Sequence, residues 1–215
     1  MIRRRELLMG SVAAGAAFAA GCGGASGQAG AGATGPDDMT IGAAHAPATL
    51  IEYASSTCPH CREFYQTVWA QLKRNYIDTG KLRYTFREYP TSPPAVAVAG
   101  FQVARCGGAT ADQYLTRVGT LFDQQEAIFA TGSQEGIRQK LVEIGGMYHL
   151  SEAQVMACIN DPAAAARIGR LEQTAAQFGV TGTPTLILNG RKLDDPAAVT
   201  YPGLSHMIDA AIAGR

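Results

Sequence analysis

Short apolar runs and amphipathic runs alternate along this chain, and together they predict a mixed α/β fold. Residues 49–54 are mostly apolar and partly β-branched, which is typical of a buried strand. Over residues 62–77 the apolar side chains recur at helical spacing, so a helix is predicted soon after this strand. Residues 81–89 alternate as a second strand should, and Met39–Ile41 are predicted to form a short edge strand.

The middle of the chain loses strand character and predicts a group of helices. Ser151 and Gln154, with Leu150 before them, have the spacing of a helix capping box, and Asp161-Pro162 marks a break between two helices. The predicted helices cover residues 95–104, 112–122, 134–144, 151–159 and 163–178. These helices therefore separate two strand-forming parts of the chain.

Strand character returns near the C-terminus. Thr185–Leu188 is predicted to be a strand, Asn189-Gly190 is a strong signal for a two-residue hairpin turn, and residues 191–193 would form the short return strand. Residues 203–213 predict a closing amphipathic helix. This order predicts one sheet-containing domain, made of residues 37–92 and 179–215, with a helical insertion at residues 93–178.

Two cysteines, Cys58 and Cys61, stand at the junction between the first buried strand and the helix after it. The hydroxyl-rich turn 55–57 is of the kind that caps a helix, and Pro59 suits the first helical turn because its missing N–H would be unpaired there. Unpaired backbone N–H groups and the positive end of the helix dipole would then face Cys58. They favour its thiolate over its thiol.

The spacing of the two cysteines predicts redox chemistry. Cys61 lies three residues after Cys58, on the same helical face and close enough to close a disulfide. Cys58 would be the exposed nucleophile that forms mixed disulfides with a client, and Cys61 the shielded sulfur that resolves them. His60 can donate a hydrogen bond to the thiolate, and Pro59 stiffens the turn. Both effects stabilise the reduced pair, which makes the oxidised pair a better oxidant.

The first 22 residues have the layout of an export signal. Arg3-Arg4-Arg5-Glu6-Leu7-Leu8 precedes a small-residue apolar stretch, which favours twin-arginine export over the general secretory route. Ala19-Ala20-Gly21-Cys22 resembles a lipoprotein cleavage box, with Cys22 as the lipidated residue. Ordinary signal-peptidase cleavage that discards Cys22 is the alternative. Residues 23–36 are rich in Gly, Ala and Ser and predict a flexible linker.

The amino-acid composition and the absence of certain motifs argue against several classes of protein. Hydrophobic residues make up 47% of the 215 positions, enough for a substantial core. Lys and Arg together number 18, as do Asp and Glu together, and no basic patch is visible, so no nucleic-acid partner is predicted. His45, His149 and His206 are isolated, without metal-ligand spacing. Neither a phosphate loop nor a nucleophile elbow is present, so we predict no metal and no cofactor.

These motifs together resemble the DsbA-type thiol:disulfide oxidoreductases of bacterial envelopes. The resemblance rests on Cys58-Pro59-His60-Cys61 after the strand at 50–53, on the Gly-Thr-Pro-containing residues 180–185, and on Asn189-Gly190. It covers residues 40–215. A lone C-x-x-C also occurs in metal sites, but its combination with a proline just before a strand and hairpin is more specific. The resemblance implies an α/β thioredoxin fold with an inserted all-helical domain.

The resemblance also implies roles for residues around the cysteines. Pro184 matches the family's cis-proline, which packs against the active-site disulfide and shapes the peptide groove. Thr183 would offer backbone groups to an extended client strand. Glu52 matches a buried acid beneath the active site, and Arg83 falls where the family can place its basic partner. A strand-edge acid and a surface arginine are the alternative. Threonine at position 183 also occurs in disulfide isomerases, which leaves the balance between oxidation and isomerisation open.

Cys106 and Cys158 remain if Cys22 is lipidated and Cys58 pairs with Cys61. Relatives often carry a similar extra pair, so the resemblance implies a structural disulfide between Cys106 and Cys158, which an oxidising compartment allows. Two inert buried thiols and a second redox pair are the alternatives.

The sequence therefore predicts a periplasmic thiol:disulfide oxidoreductase that introduces disulfides into exported proteins. Its partners would be unfolded or partly folded proteins with cysteine thiols and, by the resemblance, a quinone-linked membrane oxidase that restores its disulfide. We expect a monomer that meets the membrane only through a lipid anchor. A reductase or isomerase of the same fold is the nearest alternative. A metal-binding carrier using Cys58, His60 and Cys61, or a client-binding module without turnover, are alternatives from other classes.

Overall fold

The computed structural model describes residues 34–214, and within this range five strands form one mixed sheet. The predicted signal segment, Cys22 and residues 23–33 of the predicted linker lie outside the described residues. The strands are β1 (Met39–Ile41), β2 (Ala48–Ala54), β3 (Leu82–Glu88), β4 (Thr185–Leu188) and β5 (Arg191–Lys192). Their order across the sheet is β1-β3-β2-β4-β5.

Strand β2 occupies the centre of the sheet and leads into the cysteine motif. It pairs parallel with β3, where Leu50 lies opposite Tyr84, and antiparallel with β4, where Leu50 lies opposite Leu188. All of β2 except Thr49 is buried. Because both of its edges are hydrogen-bonded, β2 fixes the point from which the chain continues towards Cys58.

Eight longer helices and one short 3-10 helix (Pro196–Val199) accompany the sheet within residues 34–214, and six of the longer helices lie between β3 and β4. Helix α1 runs from Pro59 to Ile77. Its first part, Pro59–Phe64, is α-helical, and it contains π-helical turns at Tyr65–Trp69 and Lys73–Ile77. The others are α2 (Pro94–Arg105), α3 (Ala111–Asp123), α4 (Gln125–Ala130), α5 (Gln134–Gly146), α6 (Glu152–Ile159), α7 (Ala163–Gln177) and α8 (Tyr201–Ile212). In the described part of the chain, none of the helices has the length and apolar character needed to cross a membrane.

The predicted helices of the insertion agree with α2, α3, α5, α6 and α7 to within two residues at each end. Ser151 and Gln154 form the predicted capping box, and Asn189 and Gly190 have the positive φ angles of a hairpin turn. Helix α4 has no counterpart in the prediction. Its six residues, beginning with Gln125, are too few for a clear helical period.

The hydroxyl-rich turn before Cys58 does not cap α1, contrary to the prediction. Cys58 is itself the N-cap residue, and no side chain caps the helix. The hydroxyls of Ser55 and Thr57 instead share a hydrogen bond of 2.9 Å, and Ser56 Oγ donates to the Ala97 carbonyl at 3.1 Å. The turn is thus tied to itself and to α2, and the first-turn N–H groups of α1 are not occupied by a side-chain cap.

Apolar side chains bury both faces of the sheet. Successive residues of β2 point to opposite sides, as in any strand. Leu50 and Ala54 face a large core shared with α1, α3 and α8, whereas Ile51 and Tyr53 face a smaller core against the end of α7. The large core contains Cys61, so the helix that carries the cysteines is anchored to the side of β2 on which Leu50 lies.

A buried ion-pair cluster, made of Glu88, Arg105 and Arg167, joins the insertion to the sheet. Glu88 ends β3 and is fully buried. Its carboxylate accepts hydrogen bonds from Arg105 Nε at 2.6 Å and from Arg167 Nε at 2.9 Å. The hydroxyl of Tyr114 donates to the same carboxylate at 2.9 Å. Helices α2, α3 and α7 therefore meet β3 at one side chain.

Cys106 and Cys158 form a disulfide that connects the end of α2 to α6. This is the pairing that the resemblance implies, and the two Cα atoms lie 5.6 Å apart. Gln102, one turn before Cys106, donates to the Cys158 carbonyl at 2.9 Å and accepts from Arg167 Nη2 at 2.5 Å. The disulfide and the buried ion-pair cluster are therefore linked through one amide side chain.

Replacing both Cys106 and Cys158 by alanine is expected to lower the free energy of unfolding by about 4 kcal/mol, because the disulfide closes a long loop in the unfolded chain. The sequence separation of the two residues is 52. Urea denaturation of the double variant and of the wild type, both without reductant, measures the loss. Equal denaturation midpoints would show that the disulfide does not stabilise the fold.

Candidate active site

Cys58 stands where the chain enters α1, and its own backbone starts the helix. Its φ and ψ angles of −81° and 121° are extended, and Pro59 fills the first helical turn. The Cys58 N–H donates to the Ser55 carbonyl at 3.1 Å, and the Arg62 N–H donates to the Cys58 carbonyl at 3.2 Å. The sulfur is thus held at the positive end of a helix, where its anion is favoured.

The pKa of the Cys58 thiol is lowered from its ordinary value of 9.0 to about 5. The largest cause is a hydrogen bond from the Cys61 side chain. Partial burial acts in the opposite direction, whereas the Thr183 side chain and the backbone N–H groups of Cys61 and His60 lower the pKa further. At neutral pH the reduced protein therefore carries a thiolate at Cys58.

Cys61 shows the opposite shift. Its side chain is fully buried, and this burial raises the pKa of its thiol well above 9.0, with the Cys58 sulfur and the Glu52 carboxyl as further causes. Both cysteines are free thiols in this structure. The pair thus shares one negative charge, which resides on Cys58, and the proton stays on Cys61.

His60 contributes to the site through its backbone rather than through its ring. The imidazole side chain is 78% exposed, and its Nδ1 lies 3.7 Å from Glu63 Oε2. The backbone N–H of His60 is what lowers the pKa of Cys58, so the main chain replaces the hydrogen bond that we predicted from the ring. Among residues 34–214, no group of three or more Cys, His, Asp or Glu side chains is arranged to hold a metal ion.

The segment Thr183-Pro184 lies against Cys58, and the peptide bond between these two residues is cis. The Cys58 thiol donates to the Thr183 carbonyl at 3.2 Å. Strand β4 begins at the next residue, Thr185, which lies opposite Tyr53 of β2. The sheet itself therefore brings the expected substrate-binding residues to the expected nucleophile.

An open groove of about 640 Å³ begins at this junction and runs between α1 and the start of α8. Its walls combine apolar surface with hydroxyl, amide and carboxyl groups, which suits a polypeptide with mixed side chains. The groove is lined by His60, Glu63, Phe64, Thr67, Gln71, Thr183, Pro184, Val199, Thr200, Tyr201 and Pro202.

Glu52 is buried close to the cysteines, but its partner is Tyr84 rather than Arg83. The Tyr84 hydroxyl donates to Glu52 Oε2 at 2.5 Å. Arg83 instead donates from Nη1 to the Ala44 carbonyl at 3.3 Å. The predicted pairing of Glu52 with Arg83 is wrong because side chains alternate along β3, so that Tyr84 shares a face of the sheet with Glu52 and Arg83 does not.

The helical insertion completes the site with contacts that the sequence does not reveal. Gln125, the first residue of α4, donates from Nε2 to the carbonyls of Ser56 at 2.9 Å and Cys58 at 3.2 Å. Arg62 pairs with Glu126 at 2.5 Å. These partners are 64 to 69 positions apart, and no local pattern signals such contacts. A second cis peptide bond, Ser92-Pro93, precedes α2 and was also not predicted.

Residues 34–210 match the family model described as thioredoxin. A provisionally named protein-disulfide oxidoreductase of Rickettsia conorii is 31% identical over 155 residues, which cover 72% of this chain and 54% of the relative. A protein of the same provisional name from Rickettsia prowazekii is 27% identical over 177 residues, or 82% of this chain and 62% of the relative. The chain therefore spans only 54% and 62% of the length of these two curated relatives.

Solved structures share the fold. The crystal structure of Wolbachia pipientis alpha-DsbA1 gives a TM-score of 0.71 at 23% identity, covering 84% of this chain and 94% of that one. BdbD from Bacillus subtilis, in its oxidised form, gives a TM-score of 0.69 at 16% identity over 83% of this chain and 94% of that one. The match to the family model, together with a thioredoxin sheet interrupted by a helical insertion, shows that the chain belongs to the thioredoxin family and has the DsbA-type architecture.

Proposed function

We propose that this protein is an extracytoplasmic thiol:disulfide oxidoreductase that oxidises cysteine pairs in exported proteins through a Cys58–Cys61 disulfide. One observation carries the proposal: the pKa of Cys58 is lowered to about 5, whereas that of Cys61 is raised well above 9.0. Stabilising a thiolate in the reduced protein makes the disulfide the less favourable state of the pair. Such a pair accepts electrons from other thiols.

The reaction begins when a client thiolate attacks the sulfur of Cys58 in the oxidised protein. A bond forms between the client sulfur and Cys58, the Cys58–Cys61 bond breaks, and Cys61 leaves as a thiolate that takes up a proton. The client's second thiolate then attacks the client sulfur of this mixed disulfide. It forms the client disulfide and releases Cys58 as a thiolate. Two electrons have passed to the cysteine pair, and the thiol of low pKa is the better leaving group.

The groove beside Cys58 is the proposed binding site for the client polypeptide. Thr183 precedes β4 and presents main-chain groups next to the reactive sulfur, which suits an extended chain. Pro184 and Val199 supply apolar surface along the same groove, and the Val199 side chain is exposed. A client would therefore be held through its backbone, with little demand on its sequence.

The proposed location is the periplasm, with Cys22 as a lipid anchor. The arginine-rich leader and the small-residue stretch before Cys22 support this part of the proposal. A quinone-linked membrane oxidase is the proposed partner that restores the Cys58–Cys61 disulfide. The protein would meet it as a monomer.

Alkylation of the reduced protein by iodoacetamide at different pH values tests the proposed thiolate. Because the pKa of Cys58 is lowered to about 5, its reaction rate should rise through pH 5 and be level by neutral pH. An ordinary cysteine, with a pKa of 9.0, would still be gaining reactivity at pH 8. The same protein unfolded in urea is the control and should show the ordinary profile.

Equilibration with glutathione then decides the direction of electron flow. The expected reduction potential lies between about −270 mV for thioredoxin and about −120 mV for DsbA, because their pKa values of about 7 and about 3.5 bracket the value here. A potential at or below that of thioredoxin would contradict the oxidase and favour a reductase.

A further inference from the structure

A small cavity of about 20 Å³ lies beside Glu52 and has room for about one water molecule. Glu52 and Tyr84 are 3% and 1% exposed. The cavity is lined by Glu52, Tyr65, Trp69, Tyr84, Phe86, Leu115, Val118 and Phe122. Of these described residues, none is a lysine, arginine or histidine, so the lining brings no cation to the carboxyl.

Tyr84 takes the place that a basic partner would have. Its hydroxyl donates to Glu52 Oε2 at 2.5 Å, which leaves the other carboxyl oxygen to carry a proton. The Tyr84 ring packs against Trp69 with a centroid distance of 4.9 Å, so the hydroxyl is held in one position. A neutral donor of this kind stabilises the carboxylate less than a cation would.

The titratable groups that face Glu52 come from two elements, β3 and α1. Tyr84 belongs to β3, Cys58 and Cys61 to the start of α1, and Tyr65 to its first π-helical turn. Helix α3 contributes only apolar side chains to the cavity. Burial raises the pKa of Glu52 to about 7, the hydrogen bond from Tyr84 acts against this rise, and the Cys58 sulfur adds to it.

We propose that Tyr84 is a positioning residue that lets Glu52 exchange a proton with Cys61 during disulfide exchange. The proposal rests on the redox role proposed above for the cysteine pair. When the disulfide is re-formed, the buried Cys61 thiol must lose a proton before its sulfur can attack. When the disulfide opens, the Cys61 thiolate must regain one. A group that titrates near neutral pH can serve both directions, and the hydroxyl of Tyr84 keeps Glu52 in that range.

The proton transfer from Cys61 to Glu52 occurs when the Cys58–Cys61 disulfide is re-formed from a mixed disulfide between Cys58 and glutathione. Glu52 takes the proton of the Cys61 thiol, and the Cys61 sulfur attacks the Cys58 sulfur. The Cys58–Cys61 bond forms, the bond between Cys58 and glutathione breaks, and glutathione leaves as a thiolate. Glu52 then releases its proton to solvent. No other oxidant is needed, because the oxidised glutathione that made the adduct supplies the electron acceptor.

The Tyr84→Phe variant tests the proposal because it keeps the ring and removes the hydroxyl. The titration midpoint of Glu52, followed by NMR on side-chain-labelled glutamate in the reduced protein, is expected to rise by about one pH unit. With excess oxidised glutathione, disulfide re-formation at pH 7 should slow about five-fold, and its pH profile should move upward with the midpoint. Fluorescence of Trp69, the one tryptophan of the chain, reports the reaction.

Tyr114→Phe is the matched control, since Tyr114 is also fully buried and donates to a different carboxylate, that of Glu88. It should leave the Glu52 midpoint and the glutathione profile unchanged. Glu52→Gln should remove the rise near pH 7 from the pH profile of disulfide re-formation. Adding Tyr84→Phe to Glu52→Gln should not change this profile further.

The proposal is overturned if Tyr84→Phe leaves the titration midpoint of Glu52 unchanged. It is also overturned if Tyr84→Phe shifts the pH profile of disulfide re-formation as much in the Glu52→Gln variant as in the wild type. It is also overturned if Glu52→Gln keeps the wild-type profile. These assays need only the cysteine pair and glutathione. A failure to oxidise client proteins would therefore count against the proposed function alone, not against the role of Tyr84.

Discussion

Replacing Cys58 by serine is expected to reduce the oxidation of a peptide dithiol to the uncatalysed rate, because the attacked sulfur is removed. Replacing Cys61 by serine is expected to convert the protein into a trap. Cys61 is fully buried, so a client can reach the pair only through Cys58. When Cys58 of this variant is activated as a mixed disulfide with an aromatic thiol, a peptide with a single cysteine should remain attached to Cys58. Non-reducing electrophoresis and mass spectrometry measure the adduct.

Serine and alanine at position 61 separate two roles of Cys61. The largest cause of the low pKa of Cys58 is the hydrogen bond from the Cys61 side chain. A serine hydroxyl can still donate, whereas an alanine cannot. Both variants should trap a client, but only Cys61→Ala should move the alkylation profile of Cys58 to higher pH. Equal profiles in the two variants would mean that the helix end and Thr183 alone hold the thiolate.

The junction that carries the cysteines was predictable because its signals are local. A buried strand, a proline at the first helical turn and cysteines three residues apart all lie within residues 49–64, and together they predict a strand-to-helix junction that carries the cysteines. Propensity and periodicity act over such distances. The boundaries of the larger helices followed for the same reason.

The partner of Glu52 shows what a family resemblance leaves out. The resemblance implies a basic residue near Glu52, and Arg83 falls where the family can place that residue. The alternation of Leu82, Tyr84 and Phe86, which itself predicts the strand, already assigns Arg83 to the opposite face. The two-residue period of the strand was therefore sufficient to predict Tyr84 as the partner of Glu52, whereas the resemblance implied Arg83.

Contacts between the insertion and the active-site loop could not be predicted from local sequence patterns. Gln125 reaches the carbonyls of Ser56 and Cys58 from a six-residue helix with no clear period. The contact depends on how the insertion packs against the sheet, which is set by the whole core. Glu88 is a similar case, since its partners Arg105 and Arg167 are 17 and 79 positions away.

Replacing Glu88 by alanine is expected to lower the free energy of unfolding by about 3–5 kcal/mol, because it leaves two guanidinium groups without their shared counter-charge. The side chains of Arg105 and Arg167 are only 17% and 10% exposed, so water cannot fully replace the lost carboxylate. The hydroxyl of Tyr114 also loses its acceptor. Urea denaturation, with the Cys106–Cys158 disulfide intact in all samples, gives the difference from the wild type.

Glu126→Ala is the matched control, because Glu126 also pairs with an arginine, Arg62, but its side chain is 80% exposed. Its replacement should cost less than about 1 kcal/mol, since water screens an exposed pair. Glu88→Gln, which keeps the shape and a hydrogen-bond acceptor, should fall between the two. If Glu88→Ala and Glu126→Ala cost the same, the buried ion-pair cluster does not hold the insertion on the sheet. The large core shared by β2, α1 and α3 would then hold the insertion, together with the hydrogen bonds that Gln125 donates to the active-site loop.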